Sequence, residues 1–148
     1  MSPPVRSTGE RLRDTLHRLE HDVDAWVATA EGGTPYLIPL SFDWDGTHIV
    51  VATPTASRTG RNLLTTGKAR LGLGLTRDVV LVEGTVRALD QIPDDVGAAF
   101  AARTGFDPRA EPNPYTYFEI TPVRVQAWRE ADELAGRVLM HGGRWVEP

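Results

Sequence analysis

The sequence predicts a mainly β domain of the α+β class, an antiparallel barrel of six to seven strands with flanking helices. Three observations predict it. Apolar side chains recur with period two over most of the chain, as half-buried strands require. The connections between these runs are short and turn-like, so neighbouring strands are antiparallel. Six or seven such strands in one small domain commonly close on themselves, because closure removes the exposed edges. The 148 residues fit a single domain, 1–148, large enough for a real core.

Residues 1 to 6, with two prolines, read as a loose tail. Ser7 and Glu10 have capping-box spacing. Leu12, Leu16 and Leu19 follow at helical spacing, so a helix is expected over about residues 8 to 21. From Val23 the period changes to two. "VDAWVATA" is a strand and "EGGTP" a turn. Tyr36, Ile38, Leu40, Phe42 and Trp44 then place large side chains on one face of a long strand. Asp45-Gly46 is a hairpin signal, and "THIVVAT" is the returning strand.

A short helix is expected over about residues 57 to 66, ended by Gly67. In the next strand, "ARLGLGL", the leucines face one way and Gly72 and Gly74 the other. Glycine weakens a strand, so two on one face suggest something flat or bulky close to the backbone, or closer packing of a second subunit. "TRD" turns the chain into "VVLVEGTVRAL", where Gly84 marks a bend or bulge. "IPDDVGAAFAARTG" is a second main helix, with acids in its first turn and Gly105 at its end. After a proline-rich loop, "YTYFEITPVRVQAW" is the last long strand, and "RVLMHGGRW" a small hairpin around Gly142-Gly143.

Composition narrows the chemistry. The net charge is −4 and the pI about 5.5, which leaves no global positive field for nucleic acid. Without cysteine there are no disulfides, thiolate metal sites or cysteine nucleophiles. No apolar run approaches the roughly 20 residues that span a bilayer, and the N-terminus has no apolar signal core, so a cytoplasmic protein is expected. One lysine, Lys68, against fifteen arginines is the bias of a high-GC genome, as in actinobacteria. His17 and His21 are four apart on the first helix, but no third metal ligand is suggested, so no metal is expected. His48 reads as a rim residue. No general acid, base or nucleophile stands out.

The segment "ATPTASRTGRNL" carries the most chemistry. A strand ends there and a helix begins. The first amides of a helix have no internal partner, and the helix dipole favours negative charge beside them. Ser57 and Thr59 offer hydroxyls. Arg58 and Arg61, three apart, share one face of the first turn, and Gly60 permits close approach of the backbone. The pattern fits a phosphate held at the junction; it also fits a serine-capped surface helix with two solvated arginines. No Walker or dinucleotide fingerprint is present.

The order strand, "DG" hairpin, strand, "SRTGRNL", "KARLGLGL", "VLVEGTV" resembles the pyridoxamine 5′-phosphate oxidase-like split β-barrel family over about residues 10 to 145. "VRVQAWRE" resembles that family's last long strand, with its tryptophan. The resemblance implies a homodimer with flavin sites at the subunit interface. The cofactor it implies is FMN or, alternatively, the deazaflavin F-420. Ser57 and Arg58 match the residues that hold the flavin phosphate, and Thr53 a contact to the phosphate or ribityl chain. Leu37, Ile38, Pro39 and Leu40 match the strand whose backbone lies along the flavin ring. Trp128 matches a tryptophan supplied by the partner subunit. The implied activity is hydride transfer between the cofactor and a small organic substrate; the alternative is a non-catalytic flavin or haem module for binding, storage or sensing.

There are departures from the pattern. A lysine that often follows the Ser-Arg pair is Thr59 here, and Arg61 stands either as its replacement or as a solvated residue. An arginine of the true pyridoxamine phosphate oxidases is Leu37. Arg137 and His141 lie near the place of their Arg-x-His signature with other spacing, which argues against pyridoxamine phosphate as substrate.

Overall fold

In the computed structural model, which describes residues 4–148, helix α1 (Thr8–His21) is followed by strands β1 (Asp24–Glu31), β2 (Thr34–Trp44) and β3 (Ile49–Pro54). Helix α2 (Arg58–Thr66) then leads to β4 (Lys68–Leu75) and β5 (Asp78–Leu89). Helix α3 (Asp94–Thr104), β6 (Tyr115–Trp128), β7 (Val138–His141) and β8 (Arg144–Trp145) complete the chain. All pairings are antiparallel, in the order β3-β2-β1-β4-β5-β6-β7-β8, and β3 also pairs with β6. That last pairing closes six strands into a barrel and leaves β7 and β8 as an extension.

Local chemistry explains the element ends. Ser7 and Glu10 form the expected reciprocal capping box on α1. Asp45 Oδ1 accepts from the Thr47 and His48 amides and fixes the β2–β3 turn. His48 sits at the rim, its ring between Asp45 and Glu119. Gly67 and Gly105 end α2 and α3 in the left-handed conformation that glycine reaches without strain. Gly84 sits where the β5–β6 register shifts, as expected of a bulge: a Cβ there would lie 2.5 Å from Ile120 Cγ2.

The barrel interior is filled by Leu19, Val27, Phe42, Ile49, Val51, Leu71, Val82, Phe118, Ile120 and their neighbours. A smaller cluster of Val50, Ala52, Phe100 and Tyr117 lies under α3. Arg103 reaches from α3 to the end of α1, donating to the carbonyls of Leu19, Glu20 and Asp22, so the C-terminal carbonyls that α1 cannot pair itself find a cation.

Two expectations are corrected. The tail expected over residues 1 to 6 is not loose at its end: residues 1–3 lie outside the described part, but the Arg6 side chain is 8 % exposed and pairs with Glu133 at 2.7 Å. That partner is 127 residues away, beyond any local pattern. Gly74 does not mark a flat ligand. Its φ is +82°, and a Cβ would come within 2.6 Å of Arg18 Nη1, so the β4–β5 turn and α1 account for it.

Candidate functional site

β1 is paired to β2 along the whole of β1, from Glu31↔Thr34 to Asp24↔Ser41. With β3, β2 pairs only at Phe42, Asp43 and Trp44. The edge of β2 over residues 34 to 41 therefore has no strand beside it on the β3 side, and this is the split in the barrel. Pro35 and Pro39 fall in this stretch, where a missing backbone N–H breaks no ladder on the open side. The five large side chains expected on one face grade accordingly. Phe42 and Trp44 are buried, Ile38 and Leu40 half-buried, and Tyr36, far from β3, exposed. Register divides the four residues named on this strand. Ile38 and Leu40 oppose the buried Val27 and Ala25; Leu37 and Pro39 oppose Ala28 and the exposed Trp26.

The strand-to-helix junction lies at the end of β3. Thr53 is buried, and its Oγ1 is 3.0 Å from Ser57 Oγ. Ser57 is the N-cap of α2 and accepts from the Gly60 amide at 3.0 Å. When Thr53 donates, both Ser57 lone pairs are filled and the Ser57 proton is free to point outward. The amides of Arg58 and Thr59 belong to the group that an α-helix cannot pair internally. Gly60 is required here by close packing: a Cβ would lie 2.8 Å from the Pro54 carbonyl oxygen.

The two arginines share the outer face of α2 as expected. Arg58 is exposed and reaches Glu31 at the end of β1, Nη1 to Oε2 3.3 Å. Arg61 is exposed and makes no ion pair among the described residues. Thr59 does not join them. It is 1 % exposed and its hydroxyl has no partner, so it is no surface donor. The helical period places it with Asn62 and Leu63, also buried, on the face turned to the barrel. Asn62 Nδ2 donates to Thr29 Oγ1 of β1 at 3.1 Å, a buried bond that seats α2 on the barrel; residue-type patterns gave no sign of it.

Trp128 is not part of this junction within one chain. Thr53 pairs with Thr116 near the start of β6, and Trp128 is the last residue of that strand, twelve positions on. At about 3.3 Å per residue the separation along the strand is about 40 Å. Trp128 instead opposes Val79 at the far end, half-buried, with the Arg137 guanidinium 6.0 Å from the ring centroid.

Register builds a row across the outer face of the barrel: Pro39, Trp26, Gly72, Leu81 and Gln126 lie side by side on five strands. A trough of about 310 Å³ runs over four of them, Trp26, Gly72, Leu81 and Gln126, and is lined also by Leu37 and Arg70. Trp26 and Leu37 are 53 % and 60 % exposed, large apolar side chains on one face. A second cavity of about 530 Å³ includes Thr66, Lys68 and Arg70, at the C-terminal end of α2 and so away from Ser57. Among the described residues no group of three or more His, Cys, Asp and Glu is placed to hold a metal. None of their helices is long and apolar enough to cross a membrane.

The sequence profile of the pyridoxamine 5′-phosphate oxidase family matches residues 15–129, which spans β1 to β6. The chain belongs to the pyridoxamine 5′-phosphate oxidase family. Solved structures of similar fold agree. An F420 reductase superposes with a TM-score of 0.60 at 22 % identity, over 74 % of this chain and 93 % of that one. A FAD-binding protein from Mesorhizobium loti gives 0.64 at 17 %, over 77 % and 89 %. A protein related to general stress protein 26, of the pyridoxinephosphate oxidase family, from Clostridium acetobutylicum, gives 0.61 at 18 %, over 84 % and 92 %. At these identities the likeness is one of fold. No curated protein matches the sequence. The split barrel of the pyridoxamine 5′-phosphate oxidase family is thus the setting of the junction and of the open β2 edge.

Proposed function

We propose that this protein is an oxidoreductase that binds FMN and passes hydride between the flavin ring and a small organic substrate. The observation that carries the reading is the Thr53–Ser57–Arg58 junction, at the end of the strand that flanks an open β2 edge, in a chain of this family. FMN is a planar ring system on a chain ending in phosphate, and the two features suit its two ends. The phosphate would accept from the Ser57 hydroxyl and the first amides of α2, with Arg58 and Arg61 as its counter-charges. The unpaired edge over Leu37, Ile38, Pro39 and Leu40 offers backbone groups to the polar rim of the ring.

The flavin supplies the hydride chemistry when bound; the chain supplies position and electrostatics. Thr53 orients the Ser57 hydroxyl. Leu37 and Pro39 present apolar surface beside the edge. Trp128, about 40 Å along the sheet from the same chain's junction, serves the site of a second copy. The exposed Trp26 and Leu37 face supports a homodimer as the working form. The arrangement calls for neither nucleic acid nor membrane as partner.

A second reading keeps the site and changes the ring to the deazaflavin F-420. It is favoured by the F420 reductase of similar fold, 22 % identical to this chain. Both ligands present a phosphate and a tricyclic ring. Titration of Arg58→Ala tests the shared part. Loss of a charged hydrogen bond of about 1.5–3 kcal/mol weakens either cofactor by tenfold or more; affinity within about twofold of wild type removes the phosphate assignment.

A further inference from the structure

The residues on either side of Trp128 are held by Arg11 of α1 and by groups of the segment that follows β6. The Ala127 carbonyl accepts from Arg11 Nη1 at 3.1 Å, and its amide donates to the Arg137 carbonyl at 2.9 Å. The Arg129 amide donates to Glu133 Oε1 at 3.0 Å. Glu133, 2 % exposed, also accepts from the Arg6 amide and from Arg6 Nε and Nη2, at 3.0, 3.1 and 2.7 Å. Four hydrogen bonds saturate the carboxylate. Arg11, 3 % exposed, bonds the Glu133 carbonyl as well, at 2.9 Å. Arg6 in the N-terminal segment, Arg11 on α1 and Glu133 in the short turn Ala131–Glu133 thus form one buried charged cluster around the end of β6.

The cluster bonds the backbone on both sides of Trp128, at the Ala127 carbonyl and the Arg129 amide, and the indole between them is not core. Trp128 belongs to neither buried apolar cluster and is only half-buried. Buried charged groups are a costly way to fix a backbone whose side chain the fold does not bury. Their common effect is to hold the backbone that presents Trp128, with Arg137 over its ring.

We propose that Arg6, Arg11 and Glu133 are positioning residues that hold the Trp128 indole for contact with the cofactor ring bound by a second copy of the chain. The inference rests on the flavin reading above. The clamp reaches the cofactor only through Trp128, so it predicts non-additivity: removing the clamp and removing the indole lose the same contact.

The experiment is a double-mutant cycle on the full chain, with FMN affinity read by quenching of flavin fluorescence. Arg6→Ala weakens binding about fivefold or more, and so does Trp128→Ala. The pair weakens it no further than Trp128→Ala alone, and Arg6→Lys recovers part of the loss. In parallel, 5-fluorotryptophan labelling follows the Trp128 ¹⁹F line, assigned by Trp128→Phe. The Arg6→Ala and Glu133→Gln proteins move or broaden that line, while the line of the buried Trp44 stays in place. A folded Arg6→Ala protein with wild-type affinity and an unmoved Trp128 line overturns the clamp. Additive losses in the cycle overturn it too, because they show a general effect on the fold. Failure of the wild-type protein to bind FMN or the deazaflavin overturns the flavin reading itself, and the clamp's role with it.

Discussion

Thr53 Oγ1 and Ser57 Oγ lie 3.0 Å apart, joining the end of β3 to the N-cap of α2. The same Ser57 oxygen accepts from the Gly60 amide, so one hydroxyl serves both the helix and the proposed anion site. These duties separate by mutation. Ser57→Ala loses the cap, costs about 1 kcal/mol and lowers Tm by a few degrees. Ser57→Asp keeps a capping oxygen but places a negative charge where the phosphate is to sit. The expected outcome is near wild-type Tm with FMN binding lost. Undiminished FMN affinity in Ser57→Asp would place the phosphate elsewhere.

Arg58 is held by Glu31 across 3.3 Å, and both side chains are substantially exposed. An exposed pair of this kind contributes little to stability, about 0–1 kcal/mol. Its expected consequence is competition, since Glu31 neutralises the arginine that the phosphate requires. Glu31→Gln therefore tightens FMN binding severalfold with little change in Tm, and the gain shrinks as salt screens the pair. Binding weakened by Glu31→Gln would show instead that the carboxylate holds Arg58 in its working position.

Glu133 gives the protein an acid limit. Its hydrogen bonds with Arg6 hold the carboxyl at about 2, against an ordinary value of 4.5. A depressed carboxyl contributes stability that is fully present above the unfolded value and is lost as pH falls toward the folded one. The contribution is on the order of 3 kcal/mol, lost between about pH 5 and pH 2. Denaturant unfolding at pH 7 and pH 3.5 measures it. The Glu133→Gln protein is less stable at pH 7, and its stability falls less on acidification. An unchanged pH slope in that variant would assign the acid sensitivity to other groups.

Gly72 and Gly74 look alike in "ARLGLGL" but differ in the fold. At Gly74 a Cβ is barred by a φ of +82° and by the Asp78 carbonyl. At Gly72 a Cβ meets Leu81 Cδ2 at 3.6 Å, an ordinary contact. Gly74→Ala is expected to destabilise by 1 kcal/mol or more. Gly72→Ala is expected to hold or raise the stability of the isolated subunit, because alanine loses less entropy than glycine. Thermal melts of the two variants separate them, and equal losses would contradict the account.

The barrel was legible because its signals are local: period-two runs, the Asp45-Gly46 turn, the capping box at Ser7 and Glu10, the glycine ends of α2 and α3, the bulge at Gly84. The junction was legible for the same reason, since Ser57, Arg58 and Arg61 are neighbours in sequence. Thr59 misled because residue type does not tell which side of a short helix meets the barrel. The open β2 edge depends on where β3 stops pairing, a long-range fact, although Pro35 and Pro39 are its trace in the sequence. The Arg6–Glu133 clamp left no trace at all, because its halves are 127 residues apart.

In the proposed site Ser57 and Arg58 hold the phosphate of a flavin-type cofactor. The most direct measurement is fluorescence titration of the purified protein with FMN and, separately, with F-420. The expected result is saturable binding of FMN, one per subunit and micromolar or tighter, weakened at least tenfold by Arg58→Ala. Binding of F-420 in place of FMN would keep the site and change the cofactor. Binding of neither ligand, or equal binding by the Arg58→Ala protein, would contradict this assignment.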